Sequence, residues 1–156
     1  MNRSLVASVA VTAALLTLPA AAQFQKPEDA IKYRQSVMTV MATHFGRVAA
    51  MAQGRVPFDA KAVGDNTAIA VSMSRLPYTA FGEGTDKGMP NRAKPEVWSQ
   101  NAKFKDLAEK LGAEMAKLDA AAKTGSQDTL KAAATGVGGA CKACHDDFRA
   151  EKYSAN

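Results

Sequence analysis

Cys141 and Cys144 are separated by two residues, and His145 follows the second directly. Two thiols at this spacing can add across the two vinyl groups of a porphyrin, and the adjacent imidazole then reaches the iron. The pattern C-x-x-C-H is the attachment site of a c-type haem. On a helix the three side chains stand at i, i+3 and i+4 and share one face. Two other chemistries use paired cysteines. A thioredoxin-like redox pair opens a helix after a strand, and nothing near residue 141 reads as a strand. A structural zinc site takes about four ligands, whereas this chain has two Cys and two His, with His44 far away in sequence. The motif therefore points to one covalent haem c per chain, with His145 as the iron ligand.

What such a haem does turns on the sixth position of its iron. His44 is the other imidazole, but it lies six positions after Met38 and so points roughly 120° around a helix from it. The remaining candidates are the thioethers of Met38, Met41, Met51, Met73, Met89 and Met115. Methionine at helical spacing is usually core filler. Met38 stands apart because it falls on the apolar face of the first helix.

The elements that must position these groups are helical throughout. From Lys26 to about Met51 apolar residues recur at Ile31, Met38, Met41, Phe45, Val48 and Ala52, close to the 3.6 period. Pro27, Glu28 and Asp29 suit a first turn, and Gln53-Gly54 ends the helix. Asp59 is a good N-cap for a second helix with Val63, Ala70 and Val71 on its apolar side. Pro77 stops it. A loop rich in Gly, Pro and charge runs from Phe81 to Lys94 and is long enough to cover a site. A third helix is expected from Pro95-Glu96 to Gly125, carrying Trp98, Leu107, Leu111, Met115 and Leu118. Ser126 or Asp128 caps a fourth, with Leu130, Ala134, Val137, Cys141, Cys144 and Phe148 on one side. Gly136, Gly138 and Gly139 allow a porphyrin or a neighbouring helix to come close. Four amphipathic helices with mostly short connections predict an all-α fold, an antiparallel up-down-up-down four-helix bundle with haem in the core.

Length and charge bound the rest. Met1-Asn2-Arg3, the apolar run Leu5 to Leu18 and the ending Pro19-Ala20-Ala21-Ala22 read as a cleaved signal peptide over residues 1–22. The apolar run is shorter than the ~20 residues that span a bilayer, and no other stretch is a membrane candidate. The mature domain is then residues 23–156, exported to the periplasm, where haem attachment uses both cysteines and leaves no disulfide to make. Removal of Arg3 leaves 19 basic and 15 acidic residues, a net charge of +4. That mild charge favours docking to acidic periplasmic redox partners. The lysines are interspersed with acids and form no aromatic-interleaved stripe, which argues against nucleic acid.

Taken together, the opening Gln23-Phe24-Gln25-Lys26-Pro27-Glu28-Asp29-Ala30, the run Tyr33-Arg34-Gln35-Ser36, His44-Phe45-Gly46-Arg47, Leu76-Pro77 with Ala80-Phe81-Gly82, Lys94-Pro95-Glu96-Val97-Trp98, and Cys141 to His145 with Arg149 resemble cytochrome c′ of the β-proteobacterial type. The resemblance covers essentially the whole mature chain. It implies a periplasmic homodimer whose iron is five-coordinate, with a crowded apolar distal face that binds NO and CO. By position it implies thioether links at Cys141 and Cys144, the axial ligand at His145, propionate contacts at Arg34 and Gln35, and a cation at Arg149 beside the axial ligand. It places Met38 and Phe81 on the distal face, with Tyr78 nearby. The loop from Glu83 to Lys94 varies in length among relatives, so the resemblance assigns it no propionate contact. Dimer packing is expected on a strip of the first helix, Met41 and Phe45 beside Ala49, Ala50 and Ala52.

Three functions follow from a haem held in this way. The first is gas binding, with NO sequestration or detoxification and accompanying electron transfer. The second is a low-spin electron carrier with Met38 as sixth ligand. The third is an enzyme such as a peroxidase, which needs polar distal groups for O–O cleavage. The mapped distal residues are mostly apolar, so the expectation is a protein that is not an enzyme.

Overall fold

In a computed structural model of the chain, residues 23–154 are described. The export segment expected over residues 1–22 lies outside them. The elements in order are α1 (Pro27–Ala52), α2 (Ala60–Met73), a short 3-10 helix (Leu76–Ala80), α3 (Glu96–Ser99), α4 (Asn101–Lys123) and α5 (Gln127–Phe148). The four long helices make the expected antiparallel bundle. Helix α1 packs on α2 and α5, and α4 packs on α2 and α5, which closes the ring. The ends follow local chemistry. Asp59 Oδ1 accepts from the Ala62 amide at 3.0 Å, and Ser126 Oγ accepts from the Thr129 amide at 3.3 Å, so Ser126 and not Asp128 caps α5. Gly54 and Gly125 sit at φ 67°, just past the ends of α1 and α4, where a side chain would be strained.

The expected third helix is interrupted. Gln100 leaves helical geometry at φ −115°, ψ 41° and separates α3 from α4. The break turns Val97 into the core and lets Trp98 Nε1 donate to the Gly82 carbonyl at 2.9 Å. These tertiary contacts outweigh the continuous helical period. Among the described residues the one β pairing is an isolated antiparallel bridge between Ala93 and Arg149.

Two apolar clusters meet inside the bundle. The larger joins Met41, Val48, Met51, Val63, Leu111, Met115, Leu118, Leu130 and Val137 from all four long helices. The smaller is aromatic, with Phe104 edge-on to Phe148 at 5.3 Å and to Phe81 at 4.9 Å. This arrangement corrects the strip expected for dimer packing. Met41, Ala49 and Ala52 are buried in the core, and Phe45 packs against it. The large apolar side chains of α1 and α2 that face outward are Val40 and Ile69, at 40% and 36% exposure. Gly136 lies against the Glu114 carboxylate of α4, which an added Cβ would push aside, whereas Gly138 and Gly139 face open space.

Candidate haem site

A cavity of about 470 Å³ opens between α1, the 3-10 helix, the loop before α3, and α5. That volume lies in the range of cofactor sites. Cys141, Cys144, His145, Arg34, Gln35, Arg149, Met38 and Phe81 all line it. Eight side chains from residues 34 to 149 are thus brought to one space.

Helix α5 supplies the reactive face. Cys141 and Cys144 are half-buried free thiols, and His145 is exposed at the rim. Burial pushes the Cys144 thiol up to about 11, with the charges of Cys141 and Asp147 adding to it, and raises Cys141 as well. Both sulfurs are therefore neutral at ordinary pH, unlike the low-pKa thiolate of a redox pair. His145 is shifted the other way. Though exposed by surface area, its ring is partly shielded at the rim; that partial desolvation first, and then the positive charges of Arg149 and Arg92, lower its pKa below the ordinary value. The imidazole keeps its lone pair free to lower pH than usual, which suits a metal ligand.

Across from α5, helix α1 presents Arg34 and Met38, one turn apart. Arg34 is only 3% exposed. Its Nη1 donates to the Ala80 carbonyl at 2.8 Å and to Thr85 Oγ1 at 3.0 Å, and Nη2 donates to the Thr85 carbonyl at 2.8 Å. Phe81 lies flat against it, 4.4 Å from the guanidinium carbon to the ring centroid. Burial lowers the Arg34 pKa to about 10, partly offset by the charge of Asp86. A guanidinium has five N–H donors, so two remain after these three bonds, and Arg34 forms no salt bridge among the described residues. A buried cation that lines a cavity with donors to spare fits a ligand bearing carboxylates. Gln35 donates to the Pro90 carbonyl at 3.1 Å, and its own oxygen has no partner among the described residues. Met38 is half-buried on the same wall. Among the described residues, two neutral thiols, an imidazole, an apolar interior and a spare buried cation fit a covalently held haem, with Cys141 and Cys144 to bind the vinyl carbons and His145 the iron.

His44 lies elsewhere. Its Nδ1 is 2.8 Å from Asn66 Oδ1, which ties α1 to α2, and it is not part of the cavity wall.

The structure adds residues that the sequence did not assign. Asn91, Arg92 and Tyr153 also line the cavity. They belong to a clasp between the long loop and the C-terminal segment. The Lys94 amide donates to the Phe148 carbonyl at 2.9 Å, the Ala150 amide to the Arg92 carbonyl at 2.8 Å, and the Ser154 amide to the Asn91 carbonyl at 2.8 Å. Arg92 Nε donates to the Ala150 carbonyl at 2.7 Å. The one local signal was Pro90-Asn91, a pair that favours a turn in which the Asn side chain bonds nearby backbone. It does so here, toward Asp86, Met89 and Ala93.

The chain matches the sequence model of the family described as Cytochrome C' over residues 29–149. It is similar to cytochrome c' of Rubrivivax gelatinosus, at 60% identity over 127 residues, 81% of this chain and 98% of the relative. The crystal structure of that protein superposes with a TM-score of 0.80 and covers 81% of this chain and 99% of its own. A variant of cytochrome c prime from Alcaligenes xylosoxidans, solved as its nitric oxide complex, superposes with a TM-score of 0.78 at 46% identity and covers 83% of this chain and 100% of its own. Another variant from that organism, with carbon monoxide bound, gives a TM-score of 0.77 at 46% identity over the same shares. The chain belongs to the cytochrome c′ family, whose prosthetic group is a covalently attached, iron-containing haem c.

Proposed function

We propose that this protein is a periplasmic haem protein with five-coordinate iron that takes up small diatomic gases and sequesters or detoxifies NO, with electron transfer open to the same haem. In this reading residues 1–22 are an export signal. Cys141 and Cys144 are the thioether links, His145 is the axial ligand, Arg34 and Gln35 hold the propionates, and Arg149 stands beside the axial imidazole.

The observation that carries the proposal is the contrast between the two sides of one cavity. Helix α5 contributes both thiols and the imidazole. The facing wall contributes Met38, Met41, Phe45 and Phe81 and no second imidazole, because His44 is engaged with Asn66 on α2. Haem iron supplies reversible binding of NO and CO when an axial position is open. The residues of the chain do the rest. Arg34 holds carboxylate charge at depth, the apolar wall keeps water scarce, and Met38 sits where an incoming ligand must displace it. The relatives solved with nitric oxide and with carbon monoxide support the same reading. No described helix is long and apolar enough to cross a membrane, which is compatible with release after export.

Two copies pair in this proposal through α1 and α2, where Val40 and Ile69 are exposed. The visible spectrum of the purified protein in both oxidation states tests the coordination. A high-spin ferrous spectrum is expected. A low-spin ferrous spectrum at neutral pH transfers the case to an electron carrier with Met38 bound through sulfur, a reading that the position of Met38 on the cavity wall also permits.

A further inference from the structure

We propose that Tyr78 is a hydrogen-bond donor into the gas-binding side of the cavity, favouring diatomic ligands whose outer atom accepts a hydrogen bond. The inference rests on the gas-binding reading above and adds to it a residue that sets ligand preference.

Tyr78 is carried by the 3-10 helix, which packs on α1 and α2. It is thus set on the wall that faces α5, together with Met38 and Phe81, and it lines the cavity. Phe104 meets its ring edge-on at 5.7 Å. Tyr78, Phe81 and Phe104 also line an outer groove between the 3-10 helix and α4, so the three together partition groove from cavity.

The hydroxyl stands out against its neighbours. On this wall Arg34 bonds to residues 80 and 85, Gln35 to Pro90 and Thr39 to the Gln35 carbonyl. Tyr78 is half-buried and makes no hydrogen bond among the described residues, so its hydroxyl is open to a ligand in the cavity that it lines. Burial is the main cause that raises its pKa above the ordinary phenol value, and the charges of Cys144 and Cys141 come next. The group therefore stays protonated, and a donor, across physiological pH. The ring packs against both apolar clusters, together with Cys141 at the larger and Cys144 at the smaller, which sets it among residues of the cavity wall. A neutral donor over an otherwise apolar ligand site discriminates by the charge on the ligand's outer atom, a property that Met38 and Phe81 cannot supply.

The test uses the haem-loaded protein and its Tyr78→Phe variant, which keeps the ring and removes the donor. The C–O stretch of the ferrous CO complex is measured by infrared spectroscopy in H2O and D2O, and ligand dissociation by rapid mixing. In Tyr78→Phe the stretch is expected to rise, its sensitivity to D2O to vanish, and NO dissociation to quicken about two- to tenfold, the span a neutral hydrogen bond sustains. Uptake of CO with identical stretch and rates in both proteins overturns the role of Tyr78 alone. A ferrous protein that takes up no CO in either form overturns the gas-binding reading itself.

Discussion

Ala93 and Arg149 face each other across an antiparallel bridge, so the loop before α3 is stitched to the residue that ends α5. His145, the proposed axial ligand, lies one turn before that bridge. The Arg149 amide donates to the His145 carbonyl at 3.1 Å, and the loop side of the bridge carries Arg92. Two cations thus reach the neighbourhood of His145 from opposite strands of one clasp, and both depress its pKa. The clasp also covers one side of the cavity, which connects the stability of a surface loop to the environment of the haem.

Asn91 organises that clasp. It is 3% exposed. Its Nδ2 donates to the Asp86 and Met89 carbonyls at 3.1 and 3.3 Å, and its Oδ1 accepts from the Ala93 amide at 3.0 Å. Asn91→Ala leaves these backbone groups unpaired and is expected to cost about 1–3 kcal/mol. Denaturant unfolding followed by circular dichroism reads the loss as a lower midpoint at unchanged slope. An unchanged midpoint means that water satisfies those groups and the clasp contributes little.

Much of this arrangement was legible in the chain, for reasons that differ by residue. Cys141, Cys144 and His145 declare themselves because their chemistry is local: attachment requires that spacing, and the spacing fixes a helical face. Asp59 and Ser126 are legible for the same reason, since a cap acts within three residues. The break at Gln100 is not local. The α3–α4 stretch keeps a helical period, and the turn exists because Trp98 and Val97 find partners elsewhere in the fold. Periodicity also shows that α1 has an apolar face without showing which neighbour it meets. Met41 and Phe45 were therefore open to a dimer contact until α5 and the cavity claimed them. Arg92 lay beyond reach altogether, because its partner Ala150 is 58 residues away.

Tyr78 makes a prediction about alkaline stability. Its pKa in the fold is raised above the ordinary value near 10. Above about pH 10 the unfolded chain releases this proton while the folded chain keeps it, so the folded state binds more protons and stability falls as pH rises. Below that pH the effect is absent. Thermal midpoints taken from pH 8 upward should decline less steeply in Tyr78→Phe than in the parent. Equal slopes contradict the burial of this phenol.

The haem is expected to be covalent through both sulfurs. Acid–acetone treatment followed by a haem stain on a denaturing gel should leave colour in the protein band, and extraction of haem into the organic layer refutes the assignment. His145→Ala removes the proposed axial imidazole and leaves both thiols, so the stain should persist while the visible spectrum changes. Loss of the spectral change in that variant points to a different axial ligand.

The proposed pairing of two copies would use Val40 on α1 and Ile69 on α2, which are 40% and 36% exposed. An isologous contact uses each patch twice, so one substitution acts at two places. Val40→Lys is expected to shift sedimentation equilibrium at micromolar concentration from dimer to monomer. A parent protein that fits as a monomer throughout removes the dimer.

Met38 decides between the two roles open to the haem. A thioether on the wall facing α5 can bond iron through sulfur, or it can pack as an apolar lid that a ligand must push aside. Displacing a packed side chain costs on the order of 1–3 kcal/mol, roughly ten- to a hundredfold in binding. Such a penalty falls hardest on weak donors such as water and leaves the strong binders NO and CO able to enter. Arg34, one turn earlier and held by three hydrogen bonds, anchors this part of α1, so truncation of Met38 should open space without moving the helix. Met38→Ala is therefore expected to speed CO association by roughly ten- to a hundredfold while the unligated ferrous spectrum stays high-spin. Flash photolysis gives the rate and absorption spectroscopy the spin state. A parent spectrum that is low-spin and becomes high-spin in Met38→Ala shows sulfur bound to iron, and then the chain carries electrons with its sixth position filled.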